Sequence, residues 1–228
     1  MKIDLNTLPA RDAHDLLTSA IVPRPIAWVS SVSAQGAVNL APCSFFTGIA
    51  WRPATLGFSV VNRPDGSRKD TLRNIEETRN FVVNMVSQDL ASRMVETSAT
   101  FPHGISEASE AGVPLIPSTM VAAPRVEESR VAFECTLDRI VTVGQGAHAG
   151  NLVLGAILLM HVKDEILEGD KMVDPIKFDV VGRLSGGTRF CGVGSIFEIG
   201  AEDAKSRLPS NLDEAERRIP RGGRKERT

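Results

Sequence analysis

Arg24-Pro25-Ile26-Ala27-Trp28-Val29-Ser30-Ser31-Val32-Ser33-Ala34-Gln35-Gly36-Ala37-Val38-Asn39-Leu40-Ala41-Pro42-Cys43-Ser44-Phe45-Phe46 is the stretch on which the fold turns. Pro23 and Pro25 stop the short helical pattern before it (Leu8, Leu16 and Leu17 among Asp12, His14 and Asp15), since each proline lacks a donor and restrains its predecessor. Residues 26–33 then read as a strand, Ala34-Gln35-Gly36 as a hairpin turn and 37–41 as the returning strand. Working outward, residues 54–61 form another strand and 62–67 a turn. A helix starts near Asp70, with Leu72 and Ile75 inward and Glu76, Glu77 and Arg79 outward. Residues 81–86 read as a strand and 89–97 as a second helix, and two more strands run over about 131–143 and 152–163. Many strands, few helices and no regular strand–helix alternation predict a mainly β fold, an antiparallel barrel with peripheral helices, over a doubly wound parallel sheet.

The 228 residues carry a net charge of −2 and 42% hydrophobic residues, enough apolar surface for a sizeable core. So small a charge gives no long-range drive toward nucleic acid. Cys43, Cys135 and Cys191 are too few and too scattered for a disulfide framework or a thiolate zinc site. The start of the chain lacks a signal-peptide pattern, and the longest apolar run, 152–160, is far short of a membrane span. The expectation is a cytoplasmic soluble protein with no membrane or nucleic-acid partner. It has one domain over 1–205 and a basic, Gly/Pro-broken tail over 206–228, read either as a solvated tail or as an arm for an anionic partner. Residues 99–129, with Pro102, Pro114, Pro117 and Pro124, form a long unpatterned connection of the kind that covers a site.

Two segments suggest ligand chemistry. Arg63-Pro64-Asp65-Gly66-Ser67-Arg68-Lys69-Asp70-Thr71 joins a strand to a helix and puts three cations where the helix dipole already favours an anion. With first-turn N–H groups and the Ser67 and Thr71 hydroxyls this makes a phosphate cradle; the alternative is a solvated basic turn capped by Asp70. In Asn39-Leu40-Ala41-Pro42-Cys43-Ser44-Phe45-Phe46, Pro42 interrupts a ladder and frees backbone groups for the edge of a planar heterocycle, with Phe45, Phe46 and Trp51 as an apolar wall. The alternative there is a bulge with core aromatics. Gly144-Gln145-Gly146-Ala147-His148-Ala149 matches the spacing of a dinucleotide fingerprint, but a strand-like run follows where a helix is required, so it reads as a hairpin loop. His14, His103, His148 and His161 show no metal-ligand spacing, and no Ser sits in Gly-x-Ser-x-Gly. Neither a metal nor a catalytic side chain is assigned. Cys43 is either a reactive thiol or a small buried one.

Arg24-Pro25-Ile26-Ala27-Trp28-Val29-Ser30, the 39–46 segment, Arg68-Lys69-Asp70-Thr71-Leu72-Arg73-Asn74-Ile75 and Phe81-Val82-Val83-Asn84 fall in one order, followed by Val153-Leu154-Gly155, His161-Val162, Gly182-Arg183-Leu184 and Gly186-Gly187. Over roughly residues 15–200 the chain resembles the flavin reductase-like family of FMN-binding split-barrel proteins. The resemblance implies a homodimeric split β-barrel with FMN (FAD is the alternative) at the subunit interface and NAD(P)H as electron donor. It also implies flavin or another small molecule as acceptor. It lays Asn39, Ala41, Pro42, Cys43, Ser44 and Phe45 along the isoalloxazine and Ser67, Lys69, Asp70 and Thr71 near the phosphate. Arg24 reaches the flavin's surroundings from the same or the partner subunit. The rival reading is a non-catalytic flavin-binding or electron-carrier protein. The chain departs from the family after Gly186-Gly187, where the usual tyrosine is absent and Phe190 follows; no tyrosine occurs anywhere in the chain. For the dimer contact the sequence offers the 152–160 strand and the 99–129 stretch with Phe101, Leu115, Ile116 and Met120, which otherwise close over their own barrel.

Overall fold

The computed structural model describes residues 1–99, 101, 105–169 and 172–197. Residues Met1–Gly194 make one compact unit, and Ser195–Thr228 group separately. The basic tail expected over 206–228 lies outside the described residues.

Helix α1 (Ala10–Ala20) leads into the two-residue strand β1 (Arg24–Pro25), and the decisive stretch forms β2 (Ala27–Val32) and β3 (Val38–Cys43). Next come β4 (Phe46–Trp51), β5 (Ala54–Val61), helix α2 (Asp70–Thr78), β6 (Asn80–Met85) and helix α3 (Ala91–Glu96). The covering stretch holds a single helical turn, α4 (Glu107–Glu110), and the short pair β7 (Leu115–Ile116) and β8 (Arg125–Val126). The long hairpin β9 (Val131–Val143) and β10 (Gly150–Val162) precedes β11 (Leu167–Glu168), β12 (Met172–Val173), α5 (Pro175–Phe178), β13 (Gly182–Arg183) and β14 (Phe190–Cys191).

Seven strands make the main sheet in the order β3-β2-β6-β9-β10-β5-β4, every pair antiparallel. The Ser59 N–H donates to the Phe45 carbonyl at 2.9 Å, one residue beyond the Phe46–Phe58 pair, so the β4–β5 ladder runs on into the short link from β3. The fold is the expected mainly β split barrel with helices around it.

Strand β2 is buried along nearly its whole length because both its faces are covered. Ala27 and Val29 point into the barrel with Phe58, Val60, Phe81, Val83 and Val153, and Leu72 and Ile75 of α2 plug that core. Trp28 points the other way, into a second cluster with Leu40, Leu90, Met94, Ala108, Val113 and Val126, and its Nε1 donates to Thr97 Oγ1 at 2.8 Å. The described part of the 99–129 stretch therefore closes over its own barrel. Ala108, Ala111, Val113 and Val126 are buried, Leu115 and Ile116 are half-buried, and only Met120 among the four candidate contact residues is exposed. Inside the barrel Phe58 and Phe81 meet edge to face at 5.3 Å. A bulge separates Leu154 from Gly155, where any Cβ would lie 2.3 Å from the Phe81 ring, so only glycine fits.

The 144–149 segment is the β9–β10 turn, with Gly144, Gly146 and His148 at positive φ and a strand directly after it, so the dinucleotide reading fails on topology. Strand β4 is absent from the expectations above. It is a largely exposed edge strand with Gly48 in its middle, and so shows no buried-face alternation. Among the described residues no helix is long and apolar enough to cross a membrane.

Candidate cofactor-binding cleft

The split between β3 and β5 opens on two adjoining cavities of about 290 and 450 Å³. They share Ala41, Pro42, Val61, Lys69, Thr71 and Ser98 as a common wall. The ends of β3 and β5, the start of α2 and the end of α3 thus converge on one cleft.

The β3 wall is shaped by Pro42. Leu40, two residues earlier, turns its N–H away from β2 and donates it to Glu107 Oε2 at 3.0 Å. Alternation places residue 42 in the same outward orientation, so proline removes no ladder bond and its carbonyl faces outward at the cleft. Cys43, Ser44 and Phe45 continue this wall in the smaller cavity, opposite Ser59, Val60 and Val61 of β5. Burial pushes the Cys43 thiol up to about 11, with Lys69 pulling the other way, so the wall is electrically neutral at physiological pH. Of the proposed aromatic wall only Phe45 lines the cleft. Phe46 faces a separate apolar groove, and Trp51 is 89% exposed at the end of the outer edge strand and lines neither cavity.

The α2 wall is where charge is concentrated. Arg63 donates to Asp70 Oδ2 at 3.0 Å, Arg73 pairs with the other oxygen of Asp70, and Arg68 pairs with Glu76. The anticipated cluster of three cations is therefore resolved within the chain, save one. Lys69 occupies the N-cap position in an extended conformation and lines both cavities, and its ammonium forms no hydrogen bond or ion pair among the described residues. Thr71, 2% exposed, sits beside it with its Oγ1 2.9 Å from the Asn39 amide.

Arg24 lines the smaller cavity but is committed elsewhere. Its guanidinium donates to the carbonyls of Thr18 and Ile21 at the end of α1, to the Leu184 carbonyl at 3.1 Å and to Ser44 Oγ at 3.4 Å. Four of its five N–H donors are thereby used. Burial, and then the neighbouring Arg183, hold its pKa below the ordinary arginine value. Arg183 itself stacks over Phe190 at 4.6 Å, so the ring that stands where the family often has tyrosine holds a cation by its face.

Of the residues singled out from sequence, Arg24, Cys43, Ser44 and Phe45 line the smaller cavity. Asn39 and Asp70 line the larger, and Ala41, Pro42, Lys69 and Thr71 line both. Ser67 lines neither. It is exposed in the turn after β5, its N–H donating to Asp65 Oδ1 at 2.8 Å. Sequence reasoning missed Ser59, His14, Ser98 and Glu107 as lining residues. The strand alternation of β5 marks Ser59, but Glu107 lies in an unpatterned stretch with no signal at all.

The family model described as "Flavin reductase like domain" matches residues 19–176. An uncharacterized protein of Aquifex aeolicus is 40% identical over 173 residues, 76% of this chain and 86% of its own length. Among solved structures, nitrilotriacetate monooxygenase component B from Bacillus cereus is 32% identical with a TM-score of 0.82, covering 87% of this chain and 98% of its own. The 2-nitrobenzoate 2-nitroreductase of Pseudomonas fluorescens is 33% identical with a TM-score of 0.80, covering 92% and 99%. The chain belongs to the flavin reductase-like family of split-barrel proteins, a family of flavin-related oxidoreductases.

Proposed function

We propose that the cleft binds FMN and that the protein is an NAD(P)H-dependent reductase of flavin or another small acceptor, working in the cytoplasm. One observation carries this reading. A neutral strand-end wall and, alone among the described residues, the uncommitted Lys69 ammonium at a helix N-terminus meet in one continuous cleft. That polarity matches a flat heterocycle with an anionic tail. The ring lies along Ala41, Pro42, Cys43, Ser44 and Phe45, whose backbone edge offers hydrogen bonds, while the neutral Cys43 thiol is no competing nucleophile. Lys69, Thr71 and the first-turn N–H groups of α2 hold the phosphate. Arg24 acts at one remove, fixing Ser44 and strapping α1 over the smaller cavity. Flavin held by these residues would supply the redox chemistry, the acceptance of hydride from reduced nicotinamide. The named activities of the nitroreductase and the monooxygenase component support electron delivery to a small molecule.

The reading includes a homodimer. Ile49 and Trp51 on β4 and Leu158 and Met160 on β10 are exposed. Met160 also lines an apolar groove of about 350 Å³ with Phe46, Met85, Phe133, Ile157 and Phe178. An isologous second copy covers such a face. Light scattering with flavin titration tests this: a stable monomer that keeps full flavin occupancy refutes it. For the chemistry, the chromophore is released from purified protein and identified, and the apoprotein is titrated with FMN while NADH or NADPH oxidation is followed. FMN recovery with nicotinamide turnover is expected. Bound flavin that no nicotinamide reduces gives the electron-carrier reading instead, and protein with no affinity for FMN overturns the proposal.

A further inference from the structure

Glu107 stands in none of the roles above, yet it joins the covering stretch to both walls of the cleft. Its Oε2 accepts the Leu40 N–H of β3 at 3.0 Å, and its Oε1 lies 3.2 Å from the Asn39 amide, whose other end is 2.9 Å from Thr71 Oγ1 on α2. Asn39 and Thr71 are 7% and 2% exposed, so water does not substitute for these partners. Among the described residues, the charged and titratable groups lining this cavity besides Glu107 are Asp70 and Lys69 from the start of α2, Arg63 from the turn after β5, and His148 from the β9–β10 loop; β3 adds the Asn39 amide and the Leu40 N–H.

An amide between a carboxyl and a hydroxyl has two orientations, and the carboxyl's protonation chooses between them. When Glu107 is ionised, the Asn39 NH₂ donates to Oε1, and the Asn39 carbonyl accepts from the Thr71 hydroxyl and from Leu40 N–H. Thr71 then shows only lone pairs to the cleft. When Glu107 is protonated it donates to the Asn39 oxygen. The NH₂ then donates to Thr71 Oγ1, and the Thr71 O–H is free to donate to an anion. This second arrangement sets the NH₂ beside the Leu40 N–H, which Glu107 Oε2 already satisfies.

Resting on the phosphate reading of Lys69 and Thr71, we propose that Glu107 is a positioning residue whose proton, relayed through the Asn39 amide, turns Thr71 from an acceptor into a donor for the flavin phosphate, so that binding FMN takes up a proton from solvent. Burial, and then Asp70 nearby, push the Glu107 carboxyl up from its usual range against the pull of the Leu40 N–H, which brings its titration toward neutral pH.

The test measures dissociation constants for FMN and riboflavin by flavin fluorescence across the acidic-to-neutral range, in the wild type and in Glu107→Gln. The glutamine amide permanently donates to Asn39. The phosphate's own titration cancels in the ratio of wild-type to Glu107→Gln constants. For FMN that ratio rises by up to about tenfold per pH unit above the Glu107 titration. For riboflavin it stays flat, and in a Thr71→Ala background the Glu107→Gln effect disappears. A ratio for FMN that does not change with pH, or one unchanged by Thr71→Ala, overturns the relay and leaves the phosphate reading standing. A wild type that does not prefer FMN to riboflavin removes the phosphate reading, and the relay with it. A Glu107→Gln protein that binds riboflavin poorly at every pH assigns Glu107 a purely structural role and also refutes the relay.

Discussion

Replacing Lys69 by alanine tests the anion site at its simplest point. Every other cation at the start of α2 is paired: Arg63 and Arg73 with Asp70, and Arg68 with Glu76. Lys69 is exposed, caps the helix through backbone alone, and its carbonyl accepts the Leu72 and Arg73 N–H groups whatever the side chain. Lys69→Ala should therefore leave the melting temperature within experimental error and change only ligand binding. A charge-assisted hydrogen bond to phosphate contributes about 1.5–3 kcal/mol, and because Lys69 is open to solvent the lower end applies, roughly a tenfold loss in FMN affinity. Riboflavin, which lacks the phosphate, should bind the variant and the wild type alike. Fluorescence quenching titrations of both flavins against both proteins give the four constants needed. Equal losses for FMN and riboflavin, or no loss for either, would refute the assignment and return the 63–71 segment to a solvated basic turn.

Gly155→Ala should destabilise the barrel by about 1–3 kcal/mol in urea unfolding, because its Cβ enters the fully buried Phe81 ring; Phe81→Leu in the same chain should recover part of the loss. Glu134, fully buried, accepts from Thr119 N–H at 2.8 Å, Met120 N–H at 2.5 Å and His161 Nε2 at 2.6 Å; burial pushes its carboxyl up, but these donors outweigh it and hold the pKa below the ordinary value. A depressed carboxyl stabilises above its unfolded pKa and loses that contribution as pH falls through the folded one, so amide exchange at residues 119 and 120 should quicken only in acid, and in Glu134→Ala at every pH. Cys43, with its thiol pushed up to about 11, should alkylate near neutral pH roughly two orders of magnitude more slowly than a free thiol, read by mass spectrometry; rapid labelling would show that the β3 wall is not closed as described.

The parts of this molecule legible from sequence are those where one local rule dominates. The β2–β3 hairpin announces itself by two strand-like runs on either side of an Ala-Gln-Gly turn, and α2 by an acidic first turn and an apolar face. Residues 41–45 and 69–71 could be singled out because a proline at a strand end and a cation at a helix start each break a local preference. What remained hidden was set by tertiary context. Strand β4 is exposed along its length, so no buried face patterned it. The 105–129 stretch has no period, because its buried residues are chosen one by one to cover Trp28 and Leu40. Ser67 and Trp51 illustrate the converse: both sit in suggestive segments, but Ser67 is exposed in a turn and Trp51 at the end of the edge strand, and neither lines the cleft.

Arg24 lines the cleft while its donors are spent within the chain. An arginine beside a segment proposed to hold flavin suggests a contact to the ligand, yet four of its donors are spent on α1, the β13–β14 loop and Ser44. Buried and 5% exposed, it would leave three backbone carbonyls unpaired if removed, so its contribution is to geometry. The same accounting applies around the whole cleft. Arg63, Arg73 and Arg68 answer acidic partners within the chain, and Arg183 answers the face of Phe190. A cleft that looks strongly basic in sequence therefore offers, among the described residues, one uncommitted ammonium, together with the Thr71 hydroxyl, whose polarity depends on Asn39, and a neutral strand edge. Such a site discriminates by where each group points more than by total charge. The covering stretch that carries Glu107 becomes part of the binding site through that dependence, although it contributes no cation of its own.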